Sequence, residues 1–213
     1  MGAWTETDAS AGESYLLLAD ISGYTAFMAG VEDAHGVDFS RGIPAGYAVL
    51  GALLDAVVEG VQPDFGVAKL EGDAVFAIAP ADTLDGQGGS VLSQLQTVHR
   101  AFHTRRAQAR QAQDHVCTAC PAVGSLDLKM VLHRGQVVRQ TVGSRSELLG
   151  PAVNIAHRLL KNTIQSRIGY RPYLFLTEAA AVALGLGQVG LEHREEYPDV
   201  GPVPGRIVDL GEG

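Results

Sequence analysis

The sequence predicts an α+β domain in which helices cover a largely antiparallel sheet. Three observations point there. Short apolar runs occur at 15–21, 65–70, 74–79, 126–132 and 136–142, the stretches between them carry apolar residues at helical spacing, and turn-forming residues at 71–73 and 133–135 join neighbouring runs directly. Direct joins of that kind make hairpins, and hairpins pair antiparallel. With 213 residues, 46% of them hydrophobic and 19% charged, the chain can bury one substantial core. Residues 1–13 are small, polar and turn-prone, so the expected organisation is a flexible lead-in over 1–13 and a single domain over 14–213.

Taken in order, residues 15–21 stop abruptly at Ser22-Gly23, as a buried strand does, and place Asp20 where that strand leaves the core. Residues 24–31 read as a short helix. Ile43-Pro44 opens a longer one with Leu50, Leu53, Leu54, Val57 and Val58 on one face and Gly60 at its end. Glu71-Gly72-Asp73 turns between two strands. Residues 81–89 read as a loop, followed by a helix with an apolar stripe of Val91, Leu95, Val98 and Phe102 and a solvated basic end at Arg105, Arg106 and Arg110. His133-Arg134-Gly135 is expected to bend the chain between the strands at 126–132 and 136–142, with His133 packed at that bend. A proline-started helix over 151–161 turns Val153, Ala156, Leu159 and Leu160 inward. A strand over 173–176, a Thr177-capped helix to Leu184 and a last strand over 206–210 complete the chain.

Composition narrows the partners. Sixteen Lys and Arg against 24 Asp and Glu leave a net charge of −8, which argues against a broad nucleic-acid-binding surface but not against a metal-bridged anion. Two cysteines are too few for a disulfide scaffold. No apolar run approaches the roughly 20 residues that span a bilayer, and the N-terminus lacks a basic start followed by an apolar segment. The expectation is a soluble, cytoplasmic protein with neither a nucleic acid nor a membrane as partner.

Two aspartates bear on chemistry. Asp20 stands at a strand exit and Asp73 in a hairpin turn, and if those strands are neighbours the two carboxylates converge. Convergent carboxylates repel, and a divalent cation that takes oxygen from both relieves the repulsion. Mg²⁺ suits such a site because it keeps room for water and phosphate oxygens. The plainer alternative is that each aspartate only caps its own turn.

At this point three motifs become familiar. Asp20-Ile21-Ser22-Gly23-Tyr24-Thr25-x-Phe27 resembles the first metal motif of the class III nucleotidyl cyclases, and Lys69-x-x-Gly72-Asp73 resembles their second. His133-x-Gly135-x-Val137-Val138, then Gly143, then Gly150-x-x-Val153-Asn154-x-Ala156-x-Arg158-Leu159 resembles their dimerisation and transition-state region. The three occur in the family's order and together cover residues 15–160. The resemblance implies the class III cyclase fold, which is ferredoxin-like. It also implies conversion of a nucleoside triphosphate, ATP first, into a 3′,5′-cyclic nucleotide and pyrophosphate.

The resemblance further implies two Mg²⁺ or Mn²⁺ ions held by Asp20, Asp73 and the Ile21 carbonyl, base selection by Lys69 and Glu147, a ribose-orienting Asn154 and a phosphate-stabilising Arg158. Asn154 and Arg158 are four apart and share one helical face, and the planar guanidinium suits phosphate oxygens. Because the family builds its sites between two catalytic domains, a homodimer is implied. Three departures favour the alternative of a weak or inactive nucleotide-binding sensor: a glutamate at 147, a shortened 143–154 segment, and no C-terminal lysine, for which Arg206 could substitute or else be a solvated edge-strand charge. Cys117-Thr118-Ala119-Cys120 lies outside the usual cyclase pattern and resembles a cyclase-like family of unassigned function. Half of a zinc site, a redox pair and two plain reduced thiols all fit Cys117 and Cys120.

Overall fold

A computed structural model describes residues 9–36, 39–111 and 120–211. Along the chain run β1 (Ala9–Ser22), α1 (Tyr24–His35), α2 (Ala45–Val61), β2 (Gly66–Glu71), β3 (Ala74–Pro80), the single turn α3 (Ala81–Leu84) and α4 (Gly88–Gln111). The second half holds β4 (Asp127–Val142), β5 (Arg145–Leu149), α5 (Pro151–Leu159), α6 (Ile164–Ile168), β6 (Tyr173–Thr177), α7 (Glu178–Leu184), β7 (Leu191–Tyr197) and β8 (Gly201–Asp209). The strands form one sheet in the order β2-β3-β1-β4-β6-β8-β7, with β5 paired to β4. Among the described residues only β4 and β6 run parallel, so the sheet is largely antiparallel, as the sequence predicts.

The alternation of β1 decides the layers. Tyr15, Leu17, Ala19 and Ile21 face one way, into a core built with α1, α2, α4 and α7. Leu16 and Leu18 face the other way and pack with Phe76, Val137 and Ala152, Val153 and Ala156 of α5. Asp20 shares the parity of Leu16 and Leu18, which brings it to the α5–α6 side of the sheet. A third cluster, with Leu159, Ile164, Tyr173, Phe175 and Ile207, seats α6 against the far strands.

Several expectations are corrected. Regular structure is already present at Ala9, the first described residue and five before the expected Ser14, because β1 pairs with β4 from Ala9 against Gln140 to Ser22 against Asp127. The same ladder removes the bend at 133–135: β4 is one continuous strand, and its hairpin turn lies at Gly143-Ser144 instead. Gly135 answers a packing need, since a Cβ there would stand 2.8 Å from the Cβ of Ala152 on α5. Residues 81–89 are mostly helical, and β5, α6 and β7 fall where the sequence predicts no element. Thr177 makes no side-chain cap to α7; its hydroxyl lies 3.0 Å from Nδ1 of the buried His133. Arg106 is not a solvated charge: it donates to the Leu126 carbonyl and to His103 Nδ1, the latter at 2.8 Å. Among the described residues no helix is long and apolar enough to cross a membrane.

Candidate functional site

The register Asp20 against Lys129 and Asp20 against Ala74 puts the end of β1 between β4 and the β2–β3 turn. Asp20, Ile21 and Asp73 therefore line one cleft of about 580 Å³, walled also by Tyr24, Asp127 and Lys129. The Ile21 amide donates to the Asp73 carbonyl at 3.2 Å, which ties the hairpin turn to the strand exit. Lys129 Nζ stands 2.8 Å from Asp20 Oδ2 and also reaches the Leu160 carbonyl at 3.4 Å. Burial and then repulsion from Asp20 push the Asp73 carboxyl above the usual carboxylate range, against the opposing pull of its backbone and Lys129. A carboxyl disfavoured in its charged form by a neighbouring carboxylate is one that a divalent cation relieves, so the donor set fits such an ion. Lys129 went unnoticed in the sequence. Its role depends on which residue of β4 falls opposite Asp20, and only strand pairing supplies that.

Lys69 and Glu147 line a second cleft together with Phe76 and Arg145, although 78 residues separate them in the chain. Lys69 Nζ pairs with Glu71 at 2.5 Å and lies 5.7 Å from the centre of the Phe76 ring. Glu71 in turn meets His157 at 3.3 Å, and the His157 ring packs edge-on against Phe76. Burial, reinforced by Lys69 and opposed by Glu71, keeps the His157 imidazole below its ordinary value. Two hydrogen-bonding side chains beside an aromatic ring can recognise the polar edge of a flat heterocycle.

Asn154 and Arg158 lie one helical turn apart on α5 and line a third cleft with His157 and Asp199. Arg158 pairs with Asp199 at 2.5 Å, and both side chains are about half exposed. An exposed pair of this kind contributes at most about 1 kcal/mol. Asp199→Asn is therefore expected to free the guanidinium at little cost in stability and to raise anion affinity by up to about fivefold. A titration with inorganic pyrophosphate and a urea midpoint measure the two effects separately.

Within one chain these three pairs do not share a cleft. Arg206 lies apart again: it pairs with Glu192 at 3.0 Å in a cleft lined by Arg167, Glu178 and His193, not with Asp20 or Asp73. Cys117 and the Cys120 side chain lie outside the described residues.

Residues 50–168 match the profile of a family described as "Protein of unknown function (DUF2652)". A relative named "Uncharacterized protein Rv2561/Rv2562", from Mycobacterium tuberculosis, is 30% identical over 165 residues, 76% of this chain and 73% of that protein. Among solved structures, the guanylyl cyclase Cya2 superposes with a TM-score of 0.66 at 15% identity, over 96% of this chain and 95% of that one. A bacterial light-regulated adenylyl cyclase superposes with a TM-score of 0.65 at 17% identity over 96% of this chain, which spans only 53% of that longer chain. At these identities the likeness establishes the fold, that of the class III adenylyl and guanylyl cyclase domains.

Proposed function

Since the chain belongs to the DUF2652 family and carries the fold of class III cyclase domains, we propose that it is a nucleotidyl cyclase. In this reading it binds a nucleoside triphosphate, ATP foremost, and forms a 3′,5′-cyclic nucleotide and pyrophosphate in a site completed by a second copy of the chain. The observation that carries the reading is the cleft in which Asp20 and Asp73, 53 residues apart, converge with Ile21. Asp20, Asp73 and the Ile21 carbonyl would hold Mg²⁺ or Mn²⁺. Bound there, the ions would lower the pKa of the attacking 3′-hydroxyl and neutralise the triphosphate.

The chain's own residues do the rest. Lys69 and Glu147 read the base from the cleft they share, and Phe76 gives its ring an apolar wall. Asn154 orients the ribose so that the 3′-oxygen attacks the α-phosphorus in line, as the bond to pyrophosphate breaks and the hydroxyl proton leaves to solvent. Arg158 offers a planar, permanently charged fork to the phosphoryl oxygens as negative charge shifts toward the leaving group. A two-fold partner would bring its Asn154 and Arg158 to the aspartate cleft, giving two equivalent sites.

Two ion pairs favour a second reading, a nucleotide-binding sensor without turnover. Lys129 already neutralises Asp20, and Asp199 already occupies Arg158. The deciding experiment incubates the purified protein with each nucleoside triphosphate and Mn²⁺ and measures cyclic product and pyrophosphate, alongside Asp20→Ala and Asp73→Ala. Turnover that falls at least about 100-fold in both variants is expected. No turnover with retained metal-dependent nucleotide binding selects the sensor, and variants as active as the parent overturn the site.

A further inference from the structure

The geometry points to a second metal site, for a zinc-class transition-metal ion, formed by His99 and His103 of α4 and Asp127 at the start of β4. The two histidines are spaced i, i+4, which puts both imidazoles on one helix face, edge to face with ring centres 4.2 Å apart. Asp127 Oδ1 faces both, 2.9 Å from His103 Nε2 and 3.5 Å from His99 Nε2. Tetrahedral ligands at zinc bond lengths stand about 3.3 Å from one another, so these separations need only small adjustment to surround an ion. All three ligand atoms lie within 4.8 Å of one another.

An independent observation is the state of His99. Its side chain is more than nine-tenths buried, and its Nε2 has no hydrogen-bond partner although it points at the carboxylate. A buried imidazole nitrogen without a partner carries a desolvation cost that metal ligation removes. His103 and Asp127 are about 30% exposed, so an ion can enter from the cleft they line with Gln96, Pro172 and Gly211, which leaves a fourth position for water.

Two imidazoles and one carboxylate suit Zn²⁺, Co²⁺ or Ni²⁺ far better than Mg²⁺, so this site differs in kind from the carboxylate cleft. Arg106 is the competing group. It can only donate, so it holds His103 Nδ1 as an acceptor and places the imidazole proton on Nε2, where it faces Asp127. On ligation through Nε2 that proton moves to Nδ1, and Arg106 turns away from His103 while keeping the Leu126 carbonyl. Asp127 also lines the cleft of Asp20 and Asp73, so the ion would brace a wall of that cleft.

The test uses the full chain carrying Cys117→Ser and Cys120→Ser, in excess Mg²⁺, so that neither thiols nor the carboxylate cleft contribute. Titration with Co²⁺ is expected to give one equivalent with the visible absorption of a tetrahedral nitrogen–oxygen site, and Zn²⁺ is expected to displace it and raise the melting temperature. His99→Gln and the more exposed His103→Gln should each weaken binding at least about tenfold, with circular dichroism confirming that both fold. No uptake in the thiol-free chain, or uptake unchanged in both histidine variants, overturns the assignment. Because no nucleotide is involved, the outcome is independent of whether the chain is a cyclase.

Discussion

Co-expressed Asp73→Asn and Arg158→Ala chains, each expected to be inactive alone, should together recover about a quarter of the wild-type turnover. Asp73 and Arg158 line separate clefts of one chain, and in the proposed cyclase a complete site takes the first from one protomer and the second from its partner. Random pairing makes about half of the dimers mixed, and a mixed dimer has one intact site and one doubly damaged site. Half of half is the expected quarter. Recovery below a few per cent of wild type would mean that the chain does not pair with itself in this way. The same Asp73→Asn chain should be slightly more stable than the parent in the absence of metal, because it removes the burial cost and then the repulsion from Asp20 that together raise the Asp73 carboxyl.

Stability should fall steeply as pH drops from about 6.5 to about 4, by on the order of 3 kcal/mol, chiefly through His133. Burial pushes the His133 imidazole down to about 4, and the side chain is almost wholly enclosed. Above the ordinary histidine value both folded and unfolded chains hold it neutral, so it adds no pH dependence there. Below that value the unfolded chain takes up a proton that the folded chain refuses, and stability declines until the folded imidazole also titrates near 4. His157, also held low but about one-third exposed, adds a weaker slope of the same sign, whereas the raised Asp73 carboxyl opposes it. Urea midpoints measured across this range should show most of the slope disappear in His133→Gln. A slope that survives the substitution would place the linkage elsewhere.

Much of the scaffold was legible because burial writes itself into spacing. The stripe of Val91, Leu95, Val98 and Phe102 is buried along α4 as its period requires, and the turn at 71–73 joins β2 to β3. Where local signals failed, a long-range partner had won. His133-Arg134-Gly135 reads as a turn in isolation, yet the ladder with β1 keeps those residues extended, and Gly135 is there to let α5 approach. Thr177 reads as a cap, yet its hydroxyl meets His133 from 44 residues away.

The site divides along the same line. The sequence by itself determined the fold class and nominated Asp20, Lys69, Asp73, Glu147, Asn154 and Arg158 as candidates in that order, because motif spacing is read without any knowledge of neighbours. Only the tertiary structure decided that Lys129 pairs with Asp20, that Asp199 pairs with Arg158, that Arg206 stands apart from the aspartates, and that His99, His103 and Asp127 meet. Each of these depends on strand register or on contact between elements distant in the chain. Side-chain charge is a property of one residue, but the charge it meets is a property of the fold.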